Sequence, residues 1–212
     1  MRGSAGTLSE RWFAAVYDPV LWCAERRNMA ARRGRLLEHA FGRVLEVGAG
    51  TGLNLAHYPA AVDELVLVEP SPAMLRRLRR RLDRGGREAE VVQARGESLP
   101  FPDDAFDCVV ASFVLCSVAD PAGALGELAR VLHPGGLFLF VEHVRSPSWL
   151  FAFLQDALAP AWSRLTNGCR CNRRTLEIVR QSPFKLVWSS EAAWSLMPPT
   201  VRPTVEGVAV LR

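Results

Sequence analysis

The order of apolar runs along this 212-residue chain predicts an α/β fold: a doubly wound, mostly parallel seven-stranded sheet with an antiparallel C-terminal strand. Three observations carry that expectation. From Val44 onward, short apolar runs alternate with helical patterns, the order of a parallel sheet covered by helices. The apolar strand Val44 to Val47 runs straight into a loop of three glycines, Gly48, Gly50 and Gly52, and then a helix. Lys185 to Ser189 and Val205 to Leu211 alternate, with turn residues between them, as a late hairpin does.

Taken in order, Trp12, Phe13, Val16, Tyr17, Val20, Leu21 and Cys23 recur at helical spacing, and an arginine-studded helix from Asn28 to Ala40 follows. Residues 1–42 therefore read as an N-terminal helical lid before a core of residues 43–212. The five leading strands are Val44 to Val47, Leu65 to Val68, Glu90 to Val92, Cys108 to Ser112 and Leu137 to Val141. Between them lie a short helix from Leu53 to His57, a longer one from Ala73 to Asp83, and one from Ala122 to Leu132. The last is stopped by His133-Pro134-Gly135-Gly136. After the fifth strand, a cap at about residues 147–170 carries Trp149, Leu150, Phe153, Leu154, Leu158, Trp162 and Leu165 on one broad helical stripe, broken by Pro160. Ligands of open parallel sheets sit beyond the carboxyl ends of the strands, so an insert there is placed to roof a pocket. Core packing and membrane contact are the other readings of the same stripe.

Composition narrows the partners. The net charge is +4 and Lys185 is the only lysine, so the basic excess is arginine and too small to imply nucleic acid. Arg76, Arg77, Arg79, Arg80, Arg81 and Arg84 read as the solvated face of one helix. Five scattered cysteines, Cys23, Cys108, Cys116, Cys169 and Cys171, suit a reducing, cytoplasmic setting. Met1 to Gly6 lacks the apolar stretch of a signal peptide, and no run approaches the roughly 20 residues of a membrane helix, so no integral membrane association is expected. Cys169-Arg170-Cys171 has no second ligand pair and reads as two free thiols near a turn, with no metal expected.

The sharpest feature is the glycine loop. Glycine permits its tight turn and removes the Cβ that would block a ligand from the backbone, while a helix start offers free N–H groups. The spacing is G-x-G-x-G, with Glu46 two positions before the first glycine, which disfavours a pyrophosphate ligand. Seventeen residues after Gly52, Glu69 ends the second strand, where a carboxylate can accept hydrogen bonds from both hydroxyls of a ribose.

With these features the chain resembles the class I S-adenosylmethionine-dependent methyltransferases, from about Arg43 to its end. Gly96-Glu97-Ser98-Leu99-Pro100-Phe101 resembles the family's element near adenine, Phe106-Asp107-Cys108-Val109-Val110 its fourth strand, and Leu132-His133-Pro134-Gly135-Gly136 its L-x-P-G-G turn. The resemblance implies a Rossmann-like sheet and S-adenosylmethionine as cofactor. The implied contacts are Glu46, Gly48, Ala49, Gly50, Gly52 and Asn54 around the loop, then Glu69, Pro70, Gly96, Glu97, Ser112 and Phe113. Many relatives carry aspartate where this chain has Arg95, which passes the adenine-amine contact to the backbone of Gly96 or to Glu97.

A narrower similarity, to the methyltransferase-like seven group, rests on Val114-Leu115-Cys116-Ser117-Val118, Glu142-His143-Val144 and the stretch from Gln155 to Cys169. Members of that group are thiol S-methyltransferases, usually with an N-terminal membrane anchor that is not recognised here. The similarity implies S-methylation of a small thiol or dithiol. The alternatives are N- or C-methylation of a lipid amine or quinone, and a non-catalytic cofactor-binding protein; no obligate protein partner is implied. His143, at the end of the fifth strand, is the candidate base or hydrogen-bond partner of the acceptor, or else a cap bonded to backbone. Cys116 either exchanges with a thiol substrate or packs beside it, and Tyr17 either closes over the methionine end of the cofactor or belongs to the core.

Overall fold

A computed structural model describes residues 7–85 and 87–212; Met1 to Gly6, on which the reading of a missing leader rests, lie outside the described residues. The strands are β1 (Gly42–Val47), β2 (Val62–Val68), β3 (Glu90–Val92), β4 (Phe106–Ser112), β5 (Leu132–His143), β6 (Phe184–Ala193) and β7 (Pro203–Leu211). They form one sheet in the order β3-β2-β1-β4-β5-β7-β6. β1 to β5 run parallel, and β7 is antiparallel to both β5 and β6. The seven-stranded, mostly parallel sheet is the one expected. Its order reverses between β1 and β4, which opens a crevice beyond their carboxyl ends.

Alternation along the strands builds two cores. Leu45, Val47, Val109, Ala111, Phe138 and Phe140 face one side, against Leu125 and Leu128 of α4 (Pro121–Val131) and Val179 of α6 (Thr175–Arg180). Val44, Cys108, Val110, Leu139 and Val141 face the other, against Leu36 and Leu37 of α2 (Ala30–Leu37) and Leu75 and Leu78 of α3 (Pro72–Gly85). Strands covered on both faces read as continuous apolar runs, as the ends of β1, β2 and β4 do.

Four local expectations need correction. The segment 1–42 is not uniformly a lid. α1 (Leu8–Ala24), started by a capping box of Thr7 and Glu10, buries only Ala14 and Ala24, whereas α2 buries Arg32, Arg33, Leu36 and Leu37 and belongs to the layer on the sheet. A five-residue π-turn, Glu25–Met29, joins the two. The glycine loop leads not into a helix but into a single 3₁₀ turn, Leu55–His57. α5 (Trp149–Leu165) runs through Pro160 unbroken, because the ring deletes one hydrogen bond while the turns on either side persist. Its apolar stripe mostly faces outward: Trp149 is 81% and Phe153 63% exposed, and only Trp162 and Leu165 of the stripe reach the crevice.

Candidate functional site

A cavity of about 820 Å³ lies beyond the carboxyl ends of the parallel strands, walled by the glycine loop, the ends of β2, β4 and β5, and by α1 and the end of α5. Gly48, Gly50, Glu69, Pro70, Gly96, Glu97, Ser112 and Phe113 line it, as do His143 and Tyr17. These are the predicted positions that the fold brings together.

Gly48 has φ of 66°, and a Cβ there would stand 2.5 Å from Val114 Cγ2, so the close approach of β1's end to the loop after β4 requires glycine. Glu69 Oε2 accepts the Gly50 N–H at 2.9 Å and Oε1 the Ser71 N–H at 2.8 Å. Burial raises the Glu69 carboxyl pKa, and the Ser71 and Gly50 N–H groups pull it back. Glu97 Oε1 accepts the Ala119 N–H at 3.0 Å, which joins the loop after β3 to the one before α4. Phe113 sits at φ of 60°, a strained conformation for a side chain of its size, and stacks on Trp194 at 4.7 Å.

The other predicted contacts lie elsewhere. Glu46, Ala49, Gly52 and Asn54 do not line the cavity. Glu46 and Asn54 form a buried polar network beneath the loop. Asn54 Nδ2 donates to Glu46 Oε1 at 2.9 Å and to Ser112 Oγ at 3.0 Å, and Tyr58 donates to Glu46 Oε2 at 2.7 Å. Arg33 donates to Asn54 Oδ1 at 2.9 Å and pairs with Glu25 at 3.0 Å. Glu46 turns inward because strand alternation on β1 leaves it no path to solvent, and its neighbours supply the partners a buried carboxylate needs.

Burial raises the Glu46 carboxyl to about 7, against the Tyr58 and Asn54 hydrogen bonds and the nearby Arg33 charge. The unfolded chain releases this proton near the ordinary value of 4.5 while the folded chain keeps it to about 7, so stability falls as pH rises through that window. Glu46→Gln is expected to remove about 2 kcal/mol of the decline between pH 5 and 7. Urea unfolding at both pH values checks this, and equal declines in the two proteins would refute it.

A second latch escaped the sequence reading. Thr51 Oγ1 donates to Asp18 Oδ1 at 2.6 Å, Arg81 donates to Asp18 Oδ2 at 2.7 Å and to the Thr51 carbonyl at 2.9 Å. Arg81 therefore ties α1 to the glycine loop and is not part of a purely solvated arginine face. Tyr17, beside Asp18, packs edge-on against Phe13 at 5.4 Å, and burial raises its phenol pKa.

Cys116 is fully buried behind the cavity wall and does not line it. Its N–H donates to Glu142 Oε2 at 3.0 Å, and burial pushes its thiol well above the ordinary range, so it does not present a thiolate to a ligand. Glu142 also accepts the Val114 and Leu115 N–H groups at 2.8 Å; burial raises its carboxyl to about 7 against those three donors. His143 lines the cavity between Phe113, at 4.6 Å, and Trp194, at 5.6 Å. Burial holds its imidazole down to about 4, against the backbone of Val201 and Pro203, so it is neutral at physiological pH. Its Nδ1 has no hydrogen-bond partner among the described residues.

The cavity fits a nucleoside cofactor: side-chain-free backbone at Gly48 and Gly50, a carboxylate with free lone pairs at Glu69, and volume left for an acceptor. Comparison with known proteins agrees. Residues 45–140 match the family described as "Methyltransferase domain". The chain is 44% identical over 102 residues to the ubiquinone/menaquinone biosynthesis C-methyltransferase UbiE of Proteus mirabilis, a match covering 46% of this chain and 41% of that one. It is 39% identical over 133 residues to the phosphatidylethanolamine N-methyltransferase of Cereibacter sphaeroides, covering 60% of this chain and 62% of that one. The chain thus spans less than two thirds of these curated relatives. A solved SAM-dependent methyltransferase of Thermotoga maritima superimposes with a TM-score of 0.70 at 20% identity, over 96% of this chain and 98% of that one, which is a likeness of fold. Residues 45–140 therefore match a methyltransferase domain, the seven-stranded sheet has the fold of the solved SAM-dependent methyltransferase, and both findings support S-adenosylmethionine as the cofactor.

Proposed function

We propose that the chain methylates an apolar or amphiphilic acceptor, a lipid amine or a quinone ring carbon. The observation that carries this reading is the apolar part of the cavity lining, built from Phe13, Val16, Leu21, Trp162, Trp194 and Met197. Such a lining stabilises an acceptor by burying apolar area rather than by pairing charges. The two curated relatives support it, since one is named for quinone C-methylation and the other for lipid N-methylation. Neither is named for a thiol acceptor, so the relatives favour these alternatives over the thiol that the narrower similarity implied. No helix among the described residues is long and apolar enough to cross a membrane. The exposed Trp12, Trp22, Trp149 and Phe153 on α1 and α5 suit a protein that meets its acceptor at a lipid surface, working from the cytoplasm.

Bound S-adenosylmethionine supplies an electrophilic methyl group on a sulfonium. In our reading Glu69 holds the ribose, Gly48 and Gly50 give backbone access, and Gly96, Glu97 and Ser112 with Pro70 and Phe113 frame the base and the methionine end. Tyr17 closes over that end, and α1, latched through Asp18, is the lid, which narrows the 1–42 segment to its first helix. Within the 43–212 core, the cap contributes only its Trp162 end. Neutral His143 orients the acceptor through a ring nitrogen, so that nucleophile and methyl carbon meet in line at roughly 3–3.5 Å. Purified protein with labelled cofactor should methylate phosphatidylethanolamine in mixed micelles or a reduced demethylquinone. Methylation of dithiothreitol alone would restore the thiol reading, and cofactor binding without turnover on any of the three would favour a non-catalytic role.

A further inference from the structure

The fold brings together residues that are 26 to 28 positions apart in the chain: the end of β5 and the segment that follows α5. Cys169 Sγ lies 3.7 Å from Cys171 Sγ and 3.8 Å from Cys116 Sγ, and none of the three is in a disulfide. A ring nitrogen of His143 and the sulfurs of Cys169 and Cys171 all lie within 4.8 Å of one another. All three residues are more than nine-tenths buried, and His143 Nδ1 is without a hydrogen-bond partner among the described residues. A buried imidazole nitrogen left unpaired costs free energy that these thiols, as weak donors, do not return. A tetrahedral zinc ion with Zn–S bonds of about 2.3 Å holds its sulfurs about 3.8 Å apart, which is the spacing of the Cys169 and Cys171 sulfurs.

We propose that His143, Cys169 and Cys171 form a zinc(II) site with a Cys₂His donor set. C-x-C spacing alone lacked a further ligand; the turn after α5 supplies it by setting the pair against the end of β5. Gly168 shapes that turn, at φ of 97°, and the Arg170 N–H donates to the Cys116 carbonyl at 2.8 Å. Cys116 stands behind Cys169 and supports its sulfur. On binding, the two thiols lose their protons to solvent and the neutral imidazole gives its lone pair, so the ion is held by two thiolates and one nitrogen. His143 and Cys169 line the large cavity, which leaves the fourth position for water or for an anionic oxygen or sulfur of an acceptor. The site goes beyond the methyl-transfer reading and does not rest on it, since metal content is measured without cofactor or acceptor.

The test uses the full chain, purified under reducing conditions, loaded with zinc(II) and freed of excess by gel filtration. About one zinc per chain is expected, held against a chromophoric chelator, with affinity weakened by roughly 100-fold or more in Cys169→Ser and Cys171→Ser and unchanged in Cys23→Ser, on exposed α1. Loading with cobalt(II) should give a thiolate-to-cobalt charge-transfer band in the wild-type protein, a readout that needs no variant to fold. A reduced, folded wild-type chain without that band, zinc retained equally in the two serine variants, or a disulfide among Cys116, Cys169 and Cys171 in protein prepared without reductant would overturn the proposal.

Discussion

Glu142→Ala should lower the free energy of unfolding by about 4–6 kcal/mol, the largest loss expected of any single substitution around the cavity. The Glu142 carboxylate, at the end of β5, is fully buried and accepts the N–H groups of Val114, Leu115 and Cys116 at 2.8, 2.8 and 3.0 Å. Those three amides belong to the turn after β4, where the backbone has left the sheet ladder and has no strand to pair with. Alanine orphans all three, and a buried unpaired N–H costs about 1–3 kcal/mol. Glu142→Gln keeps the shape and one acceptor oxygen, so it should retain the Val114 and Leu115 bonds and lose only the third. Urea denaturation gives the two values, and amide hydrogen exchange at 114–116 locates the damage. A loss under about 1 kcal/mol in the alanine variant would mean that water replaces the carboxylate. The same turn carries Val114 against Gly48 and lies beside Phe113, so its loosening should also weaken cofactor binding.

The role of Glu142 was not legible in the sequence, where it appeared only as part of a Glu-His-Val match. The strands were legible for a simple reason: burial on both faces writes itself as consecutive Val, Leu and Phe, and β1, β2 and β4 extend only two or three residues beyond the expected runs. Glu69 was legible because one residue at the end of one strand performs the task. Arg33, Asn54, Glu46 and Tyr58 were not, because their hydrogen bonds join residues 8 to 21 apart on a helix, a strand and a turn, and no periodicity marks such a pairing. Arg81 looked like one more arginine on a polar helix face until α1 placed Asp18 over it. The stripe on α5 identified an amphipathic helix correctly but not which way it faces: period 3.6 fixes the width of the apolar face, while only tertiary contacts decide whether protein, acceptor or a lipid surface covers it.

Glu69→Ala should weaken binding of S-adenosylhomocysteine by about 1–3 kcal/mol, or roughly 5- to 150-fold in dissociation constant by isothermal titration. An ionised carboxylate offers about four acceptor sites. The Gly50 and Ser71 N–H groups occupy one on each oxygen, leaving one on each for the two hydroxyls of a ribose. The substitution therefore has two consequences that must be told apart. It orphans the Gly50 and Ser71 amides, the first of which fixes the glycine loop against the end of β2, and it removes the ribose acceptor. A ligand lacking the 2′-hydroxyl separates them by a double-mutant cycle. In the wild-type protein the deoxy ligand should bind more weakly than its parent. In Glu69→Ala that difference should shrink towards zero, because the hydroxyl has already lost its partner, while the loss common to both ligands reports the loosened loop. If removing the 2′-hydroxyl costs the same in both proteins, Glu69 acts on the loop alone and the ribose is held by another group.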